Sequence, residues 1–174
     1  VSRMNPEEPA APLLDLVNKD YRAGGAANVA MNAVDLGARV TLIGVVGKDP
    51  AAEILREIFQ GRGISFHGNF GKFNPKTIEK SRLVVGGRQI ARFDSEEKNP
   101  ERYRMDVEKM SSVLVDKVRE SDVVIFSDYA KGAIDRTLLK VVAQAARDKG
   151  IFVVLDPKPK NKMNFGGLVD VITP

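Results

Sequence analysis

Apolar residues along the chain alternate between short continuous runs and segments in which they recur every three or four positions. The continuous runs have the length of strands and lie at 39–46, 122–126, 151–156 and 168–173. Helical spacing separates them, and one such segment carries Val107, Met110, Leu114 and Val118. Continuous apolar strands that alternate with helices are typical of βαβ units, in which helices cover both faces of a parallel sheet. The pattern therefore predicts an α/β fold.

Several boundaries of these elements are marked by local signals. Asp49 followed by Pro50 predicts an N-cap and the first turn of a helix that runs through Ile58 and ends in the sequence QGRG. The next strand is expected at 64–67. Asp135 caps a later helix, which Gly150 closes.

Two stretches do not follow this alternation of strand and helix segments. Residues 7–25 are interrupted by prolines and alternate only weakly, whereas 76–96 form two alternating segments around Gly86 and Gly87. A glycine pair between alternating segments predicts a β-hairpin. Neither face of this hairpin is cleanly apolar, so we expect a small sheet that projects from the main body.

The amino-acid composition limits the functional groups that this protein can use. The 174 residues suffice for one substantial core, and no apolar run approaches the ~20 residues of a membrane span. The first residues do not have the charged-then-apolar pattern of a leader peptide, so secretion is not expected. Cysteine is absent and His67 is the one histidine, which excludes disulfides, thiolate nucleophiles and a multi-histidine zinc site. We expect a cytoplasmic protein that works with carboxylates, lysines, arginines, backbone amides or a cation held by oxygen.

The net charge of +4 is compatible with an anionic partner. The basic residues are scattered, with one local concentration in DPKPKNK, and no basic stripe interleaved with aromatic residues is present. Nucleic acid is therefore not an expected partner, whereas a phosphorylated metabolite is.

The segment GGAANVAMN places two glycines at the start of a predicted helix. Unpaired amides there can bind an anionic or electron-rich group. The glycine spacing is that of neither the dinucleotide fingerprint nor a Walker A loop. Asn28 would add one donor and one acceptor in the first turn, the combination that sugar hydroxyls need. Close packing of the helix through small residues, with Asn28 as a cap, explains the same residues equally well. The sequence of this segment alone therefore does not distinguish a ligand-binding role from a structural one.

The spacing of this segment resembles the N-terminal signature of the ribokinase-like (PfkB) carbohydrate kinases. The signature positions are filled by Gly24, Gly25, Asn28, Ala30, Gly37 and Gly47. Segments along nearly the whole chain also resemble, in order, the D-glycero-β-D-manno-heptose 7-phosphate kinases, including the kinase half of a bifunctional heptose enzyme. These segments are VSRMNPEEPAAP, GGAANVAMN, PKTIEKSRLV, FSDYAKGAI and VLDPKPKN.

The resemblance implies a three-layer αβα core with a mostly parallel sheet and a small β lid. The whole of 1–174 would be one partial kinase domain, with lid segments at about 1–22 and 77–95 and core segments at about 23–76 and 96–174. It also implies a homodimer formed through the lid, and transfer of the ATP γ-phosphoryl group, with Mg²⁺, to O1 of the heptose 7-phosphate. That reaction leads to ADP-heptose for lipopolysaccharide.

Nine residues are candidate substrate ligands. Gly24, Gly25 and Asn28 would hold sugar hydroxyls. Lys80 and Arg82 share one face of a hairpin strand, where they either close over the 7-phosphate or are solvated edge charges. Asp128 and Lys131 follow a predicted parallel strand, at whose carboxyl end ligands bind; Asp128 would hold a sugar hydroxyl or make a structural hydrogen bond. Lys131 would bind a phosphate, and a solvated loop lysine is the alternative for it. Asp156 and Lys158 take the equivalent place one strand later, where Lys158 would neutralise a bound or transferring phosphate.

The chain departs from the family pattern in three places. The glycine-rich segment resembling GAGD, whose aspartate is the family's base, is absent, as is the asparagine–glutamate block that follows a TP dipeptide. The family's first strand and its acidic sugar ligand would precede Val1. We therefore expect a kinase domain incomplete at both ends, with no catalytic residue and no kinase activity of its own. The alternatives are another PfkB-family sugar or nucleoside kinase and a non-catalytic sugar-phosphate-binding protein.

Overall fold

A computed structural model describes residues 2–4, 12–68, 71–158 and 163–173. Its strands are β1 Ser2–Met4, β2 Pro12–Leu14, β3 Thr41–Ile43, β4 Ser65–His67, β5 Glu79–Val85, β6 Arg88–Ser95, β7 Val123–Asp128, β8 Phe152–Pro157 and β9 Val171–Ile172. Its α-helices are α1 Ala26–Asp35, α2 Pro50–Gly61, α3 Val107–Arg119 and α4 Arg136–Arg147, and a 3₁₀ helix spans Pro100–Tyr103. The predicted mixture of helices with parallel strands is confirmed.

The main core lies between helices α3 and α4 and one face of a parallel sheet of strands β7, β8 and β9. Leu139 of α4 and Leu155 of β8 are fully buried there, and Met110 and Leu114 of α3 pack beside them. Each helix buries one apolar stripe against the sheet, as its spacing in the sequence predicts. Burial of this apolar surface is the main contribution to the stability of this unit.

The opposite face of that sheet is exposed in the described part of the chain. Because side chains alternate along a strand, Val123 and Ile125 point away from α3 and α4, and Phe152 is their neighbour on β8. All three are exposed, Phe152 by 62%. Among the described residues, α3 and α4 therefore cover one face of this sheet and leave these three side chains exposed on the other.

A second unit joins helices α1 and α2 to the parallel pair β3 and β4. Ala30, Phe59 and Ile64 form its buried centre, and the ring of Phe59 lies 4.8 Å from that of Phe66. No hydrogen bonds join this pair to the β7–β9 sheet among the described residues, so the parallel strands form two groups instead of the single predicted sheet. Packing connects the groups, because α1 contacts β7 and Ile43 packs on the main core.

Strands β5 and β6 form the predicted antiparallel hairpin around Gly86 and Gly87. Strands β1 and β2 form a separate antiparallel pair, with no hydrogen bonds to the hairpin among the described residues. Whether 1–22 and 77–95 act together as a lid stays a prediction, and most of the first family-like segment lies outside the described residues.

Two hydrogen-bonded joints fix the base of the hairpin to the core. At the first, the buried Thr77 accepts the N–H of Gly47 at 2.9 Å and donates its own N–H to Asp49 at 2.8 Å. Asp49 also caps α2 by accepting the N–H of Ala52 at 3.0 Å. The same carboxylate thus starts a helix and holds the start of the hairpin.

At the second joint, one phenol holds both ends of the hairpin. The hydroxyl of Tyr103 donates to the carbonyl of Lys76 at 3.0 Å and accepts the N–H of Glu97 at 2.8 Å. Tyr103 is 2% exposed, so these backbone groups have little access to water as an alternative partner. The hairpin therefore leaves the core from a fixed base.

None of the helices in the described ranges combines the length and apolar character needed to cross a membrane.

Candidate functional site

The glycine pair lies at the start of α1, as predicted. Gly25 is the N-cap residue, with φ of +58° and ψ of −135°, a conformation open essentially to glycine alone. No side chain among the described residues caps this helix end. Asn28 is exposed in the first turn, and its side chain has no hydrogen bond within the part of the chain that the structure describes. The prediction that Asn28 could act as a cap is therefore wrong, and its amide group is available to a ligand.

The loop that follows β7 contacts this helix end. A Cβ atom at Gly25 would lie 3.7 Å from the ring of Tyr129. Three residues after Tyr129, the chain passes Pro100 so closely that a Cβ at Gly132 would lie 2.1 Å from the carbonyl oxygen of Pro100. The loop is thereby placed between the glycine pair and the segment that leaves the hairpin.

Lys131 of this loop meets the hairpin through Glu96. Its ammonium nitrogen lies 2.8 Å and 2.6 Å from the two carboxylate oxygens of Glu96. Lys80 of β5 lies 3.8 Å from the same carboxylate and 2.8 Å from that of Asp94, which Arg92 also contacts at 2.9 Å. A row of alternating charges thus joins the lid-like hairpin to the core, and Lys80 and Lys131 share the carboxylate of Glu96 as a partner.

The charged face of the hairpin carries more cations than carboxylates. Arg82 and Arg92 are directly opposite in the strand register, and like charges so placed repel each other. Arg92 has Asp94 as a partner, whereas the one hydrogen bond that Arg82 donates among the described residues goes to the carbonyl of Lys80 at 3.4 Å. We name this set the lysine–arginine cluster: Lys80, Arg82, Arg92 and Lys131, with the carboxylates Asp94 and Glu96. Its four cations and two carboxylates give a formal charge of +2.

The carboxylates of the cluster are held in their ionised form. Hydrogen bonding from Lys131 lowers the pKa of Glu96 below its ordinary value, although partial desolvation acts in the opposite direction. Hydrogen bonding from Lys80 likewise lowers the pKa of Asp94. The cluster therefore keeps its two negative charges at neutral pH.

Asp128 is 7% exposed at the end of β7, and its carboxylate accepts the N–H of Ala130 at 2.7 Å. Ala130 has a positive φ of 53°. Of the two roles predicted for Asp128, the structural hydrogen bond is therefore present. It shapes the turn from which Tyr129 and Lys131 project.

The two candidates on β8 lie at the same edge of the sheet. The N–H of Lys158 donates to the carbonyl of Asp128 at 3.0 Å, so the two strand ends are adjacent. Its exposed side chain has no ion pair within the described ranges. The carboxylate of Asp156 accepts the hydroxyl of Thr173 at 2.9 Å. Of the three predicted phosphate lysines, two meet at Glu96 and the third lies beside Asp128.

Sequence reasoning missed three residues of this site. Tyr129 stands inside the quoted segment FSDYAKGAI, and its position between Asp128 and Lys131 was the available signal. The sequence contains no comparable signal for Asp94 and Glu96, because each contacts a lysine that is distant in the sequence. Lys80 lies 14 residues from Asp94, and Lys131 lies 35 residues from Glu96. The hydroxyl of Ser127, just before this loop, is buried with no hydrogen-bond partner in the described residues.

The described residues contain no metal site that is built from side chains alone. Across the described ranges, no group of three or more histidine, aspartate and glutamate side chains is arranged to hold a metal ion. The cations of the lysine–arginine cluster suit an anionic ligand instead.

A mixed α/β fold with parallel strands is typical of proteins that bind ligands at the carboxyl ends of those strands. The sequence identifies the family within that class. The model of the pfkB family carbohydrate kinases matches residues 13–174, so this chain belongs to the pfkB family of carbohydrate kinases.

Two curated relatives bear the name Bifunctional protein HldE. The protein from Geobacter metallireducens is 37% identical over 172 residues, which are 99% of this chain and 34% of the relative. The protein from Shewanella sediminis is 39% identical over 174 residues, again 99% of this chain and 34% of the relative. The chain thus spans about a third of the length of these relatives.

Solved structures with the same fold include kinases of several substrates. Ribokinase from Giardia lamblia superposes with a TM-score of 0.57 at 20% identity, covering 86% of this chain and 46% of that one. Adenosine kinase from Trypanosoma brucei brucei superposes with a TM-score of 0.58 at 18% identity, covering 76% of this chain and 41% of that one. These similarities confirm the ribokinase-like fold that the sequence predicts.

Proposed function

We propose that this chain supplies the sugar-phosphate-binding part of a kinase that phosphorylates O1 of D-glycero-β-D-manno-heptose 7-phosphate. Membership of the pfkB family supports a carbohydrate kinase. The segments that resemble the D-glycero-β-D-manno-heptose 7-phosphate kinases support a heptose as the sugar, and the bifunctional relatives are 37% and 39% identical to this chain. Such a step precedes the making of ADP-heptose for lipopolysaccharide, a cytoplasmic process.

The observation that carries the proposal is the approach of Lys80 and Lys131 to one carboxylate. Lys80 belongs to the hairpin and Lys131 to the core, and both ammonium nitrogens lie within 3.8 Å of the carboxylate of Glu96. Two lysines from separate elements that reach one oxygen can also reach one phosphate group. With Arg82 and Arg92, the +2 cluster matches a phosphate monoester, which carries about −1.5 to −2 at pH 7.

The other end of the sugar would lie at the start of α1. Amides near Gly24 and Gly25 can donate to hydroxyl oxygens, and the side chain of Asn28 can both donate and accept. Tyr129, which lies beside Gly25 and two residues before Lys131, provides a link between the two ends. Asp128, Asp156 and Lys158 border the same strand ends and remain proposed ligands.

Phosphoryl transfer would take the γ-phosphoryl group from ATP, with Mg²⁺, and pass it to the sugar O1 while a base removes the hydroxyl proton. This chain's part is to bind the sugar phosphate and hold O1 in position. The family's aspartate base does not occur in the 174 residues. We therefore expect binding of the sugar phosphate by the chain alone without ATP turnover.

The hairpin also offers a surface for pairing with a second copy. Phe93 is 62% exposed, and it lies opposite Ser81 on the hairpin face that alternates with the charged one. Leu83, opposite Ala91, belongs to that face as well. Exposed apolar patches on a monomer mark interaction sites, which supports the proposed lid-to-lid homodimer.

Isothermal titration of the chain with four ligands tests the proposal. The ligands are heptose 7-phosphate, heptose without phosphate, a fructose phosphate and adenosine. We expect heptose 7-phosphate to bind most tightly. Tighter binding of adenosine would favour a nucleoside kinase, and tighter binding of the fructose phosphate a different sugar kinase. Weak, equal binding of all four would contradict a sugar-phosphate site.

A further inference from the structure

The carboxylate of Glu96 occupies the place between two lysines that a phosphate group would need. One of its oxygens lies 2.6 Å from the ammonium nitrogen of Lys131 and 3.8 Å from that of Lys80. An anion that takes the position between these two lysines replaces that oxygen. Glu96 follows directly on the last residue of β6, so its side chain stands at the edge of the hairpin.

We propose that Glu96 is an internal counter-ion that the substrate phosphate displaces. Without substrate, Glu96 keeps Lys80 and Lys131 near each other and offsets their repulsion. When the phosphate arrives, Lys131 exchanges the carboxylate for a phosphate oxygen, and the hairpin loses its ion pair with the core. This inference rests on the proposed function, because it assumes that the phosphate binds at these two lysines.

The strength of the existing ion pairs makes such an exchange feasible. The side chains of Lys131, Glu96 and Lys80 are 35%, 28% and 36% exposed. Ion pairs with this much contact with water contribute little to stability, typically less than about 1 kcal/mol. The displaced carboxylate can be hydrated at once, and a phosphate dianion offers the lysines more charge and more acceptor atoms.

The exchange predicts a gain of affinity when the competing charge is removed. Glu96→Gln keeps the shape of the side chain but lacks the charge, so the chain should bind heptose 7-phosphate about two- to fivefold more tightly in calorimetric titration. A purely structural role for Glu96 would lower the affinity instead. Glu96→Asp keeps the charge and should restore affinity close to that of the wild type.

Glu97→Gln is the matched control. It removes the same charge from the next residue, whose side chain accepts the N–H of Lys76, a bond that the glutamine oxygen can also accept. We expect wild-type affinity from Glu97→Gln. Equal tightening in both variants would overturn the inference, since the effect would then come from overall charge.

Lys131→Ala separates failure of this inference from failure of the proposed function. If Lys131→Ala weakens binding of the sugar phosphate while Glu96→Gln does not tighten it, the counter-ion role is wrong and the phosphate site stands. If the wild type does not bind, or Lys131→Ala binds as the wild type does, both are wrong.

Discussion

The ring of Tyr129 lies 3.7 Å from the point at which a side chain on Gly25 would begin. This contact brings the loop after β7 to the open N-terminus of α1, although the two residues are far apart in the sequence. Since the same loop carries Lys131, one segment touches both the proposed sugar-binding amides and the proposed phosphate-binding lysines. The geometry of this loop is therefore central to the proposed site.

Gly25→Ala should destabilise the chain and impair sugar binding together. Alanine would be forced into a backbone conformation with φ of +58° and ψ of −135°, at a cost of about 1–3 kcal/mol in the free energy of unfolding. Denaturant unfolding and calorimetric titration measure the two effects. Gly61→Ala serves as control, because Gly61 ends α2 with open space around it and should tolerate alanine with little change or a small gain. Equal stability of both variants would contradict the assigned conformation of Gly25.

Tyr103→Phe should loosen the base of the hairpin. The substitution keeps the ring but leaves the carbonyl of Lys76 and the N–H of Glu97 without their partner, which costs about 1–3 kcal/mol. Hydrogen exchange should become faster at amides of β5 and β6 than at those of α4. Tyr21→Phe, at an exposed position, should leave exchange unchanged. Uniform acceleration over the whole chain would argue against a local joint.

Asp49→Asn should change how the free energy of unfolding depends on pH. Burial alone would raise the pKa of Asp49, but hydrogen bonds from Thr77 and Ala52 outweigh it, and the pKa in the folded protein is lowered. The ionised carboxylate of Asp49 therefore stabilises the folded protein. This contribution is complete when the pH lies above the pKa of an aspartate in the unfolded chain, about 3.9. It is lost as the pH falls through the lower pKa of Asp49 in the folded protein.

The free energy of unfolding of Asp49→Asn should therefore decline less than that of the wild type between about pH 5 and pH 3. At pH 7 the variant should be less stable by about 1–3 kcal/mol, because an asparagine can accept only one of the two N–H groups that Asp49 accepts. Asp15→Asn, at an exposed position, is the control. Parallel curves for the wild type and Asp49→Asn would rule out this contribution.

Local features were the ones that the sequence could predict. Asp49 with Pro50 and Asp135 mark helix starts because capping needs only neighbouring residues, and both helices begin there in the structure. The hairpin followed from Gly86 and Gly87 in the same way. The ribokinase-like fold was predicted from the family resemblance, which was recognised by the spacing around Gly24 and Gly25.

Features that depend on long-range packing were harder to predict. The run at 168–173 has the composition of a full strand, yet only Val171–Ile172 pairs with β8. The contact between Lys131 and Glu96 joins residues 35 positions apart, and neither has a local pattern that distinguishes it from a solvated charge. Charge partners of this kind depend on how the hairpin is set on the core, which no short stretch of sequence encodes.

The most direct measurement of the central claim is a double-mutant cycle on Lys80 and Lys131. Binding of heptose 7-phosphate and of heptose without phosphate would be titrated for the wild type, Lys80→Ala, Lys131→Ala and the double variant, with Lys140→Ala on the exposed face of α4 as control.

Each single variant should bind the phosphorylated sugar about 10- to 100-fold more weakly, the range for losing a hydrogen bond to a charged group. The two losses should be coupled and therefore not additive, and the unphosphorylated sugar should bind all variants alike. Unchanged affinity for heptose 7-phosphate in both single variants, or equal losses for the two sugars, would contradict a shared phosphate site at these lysines.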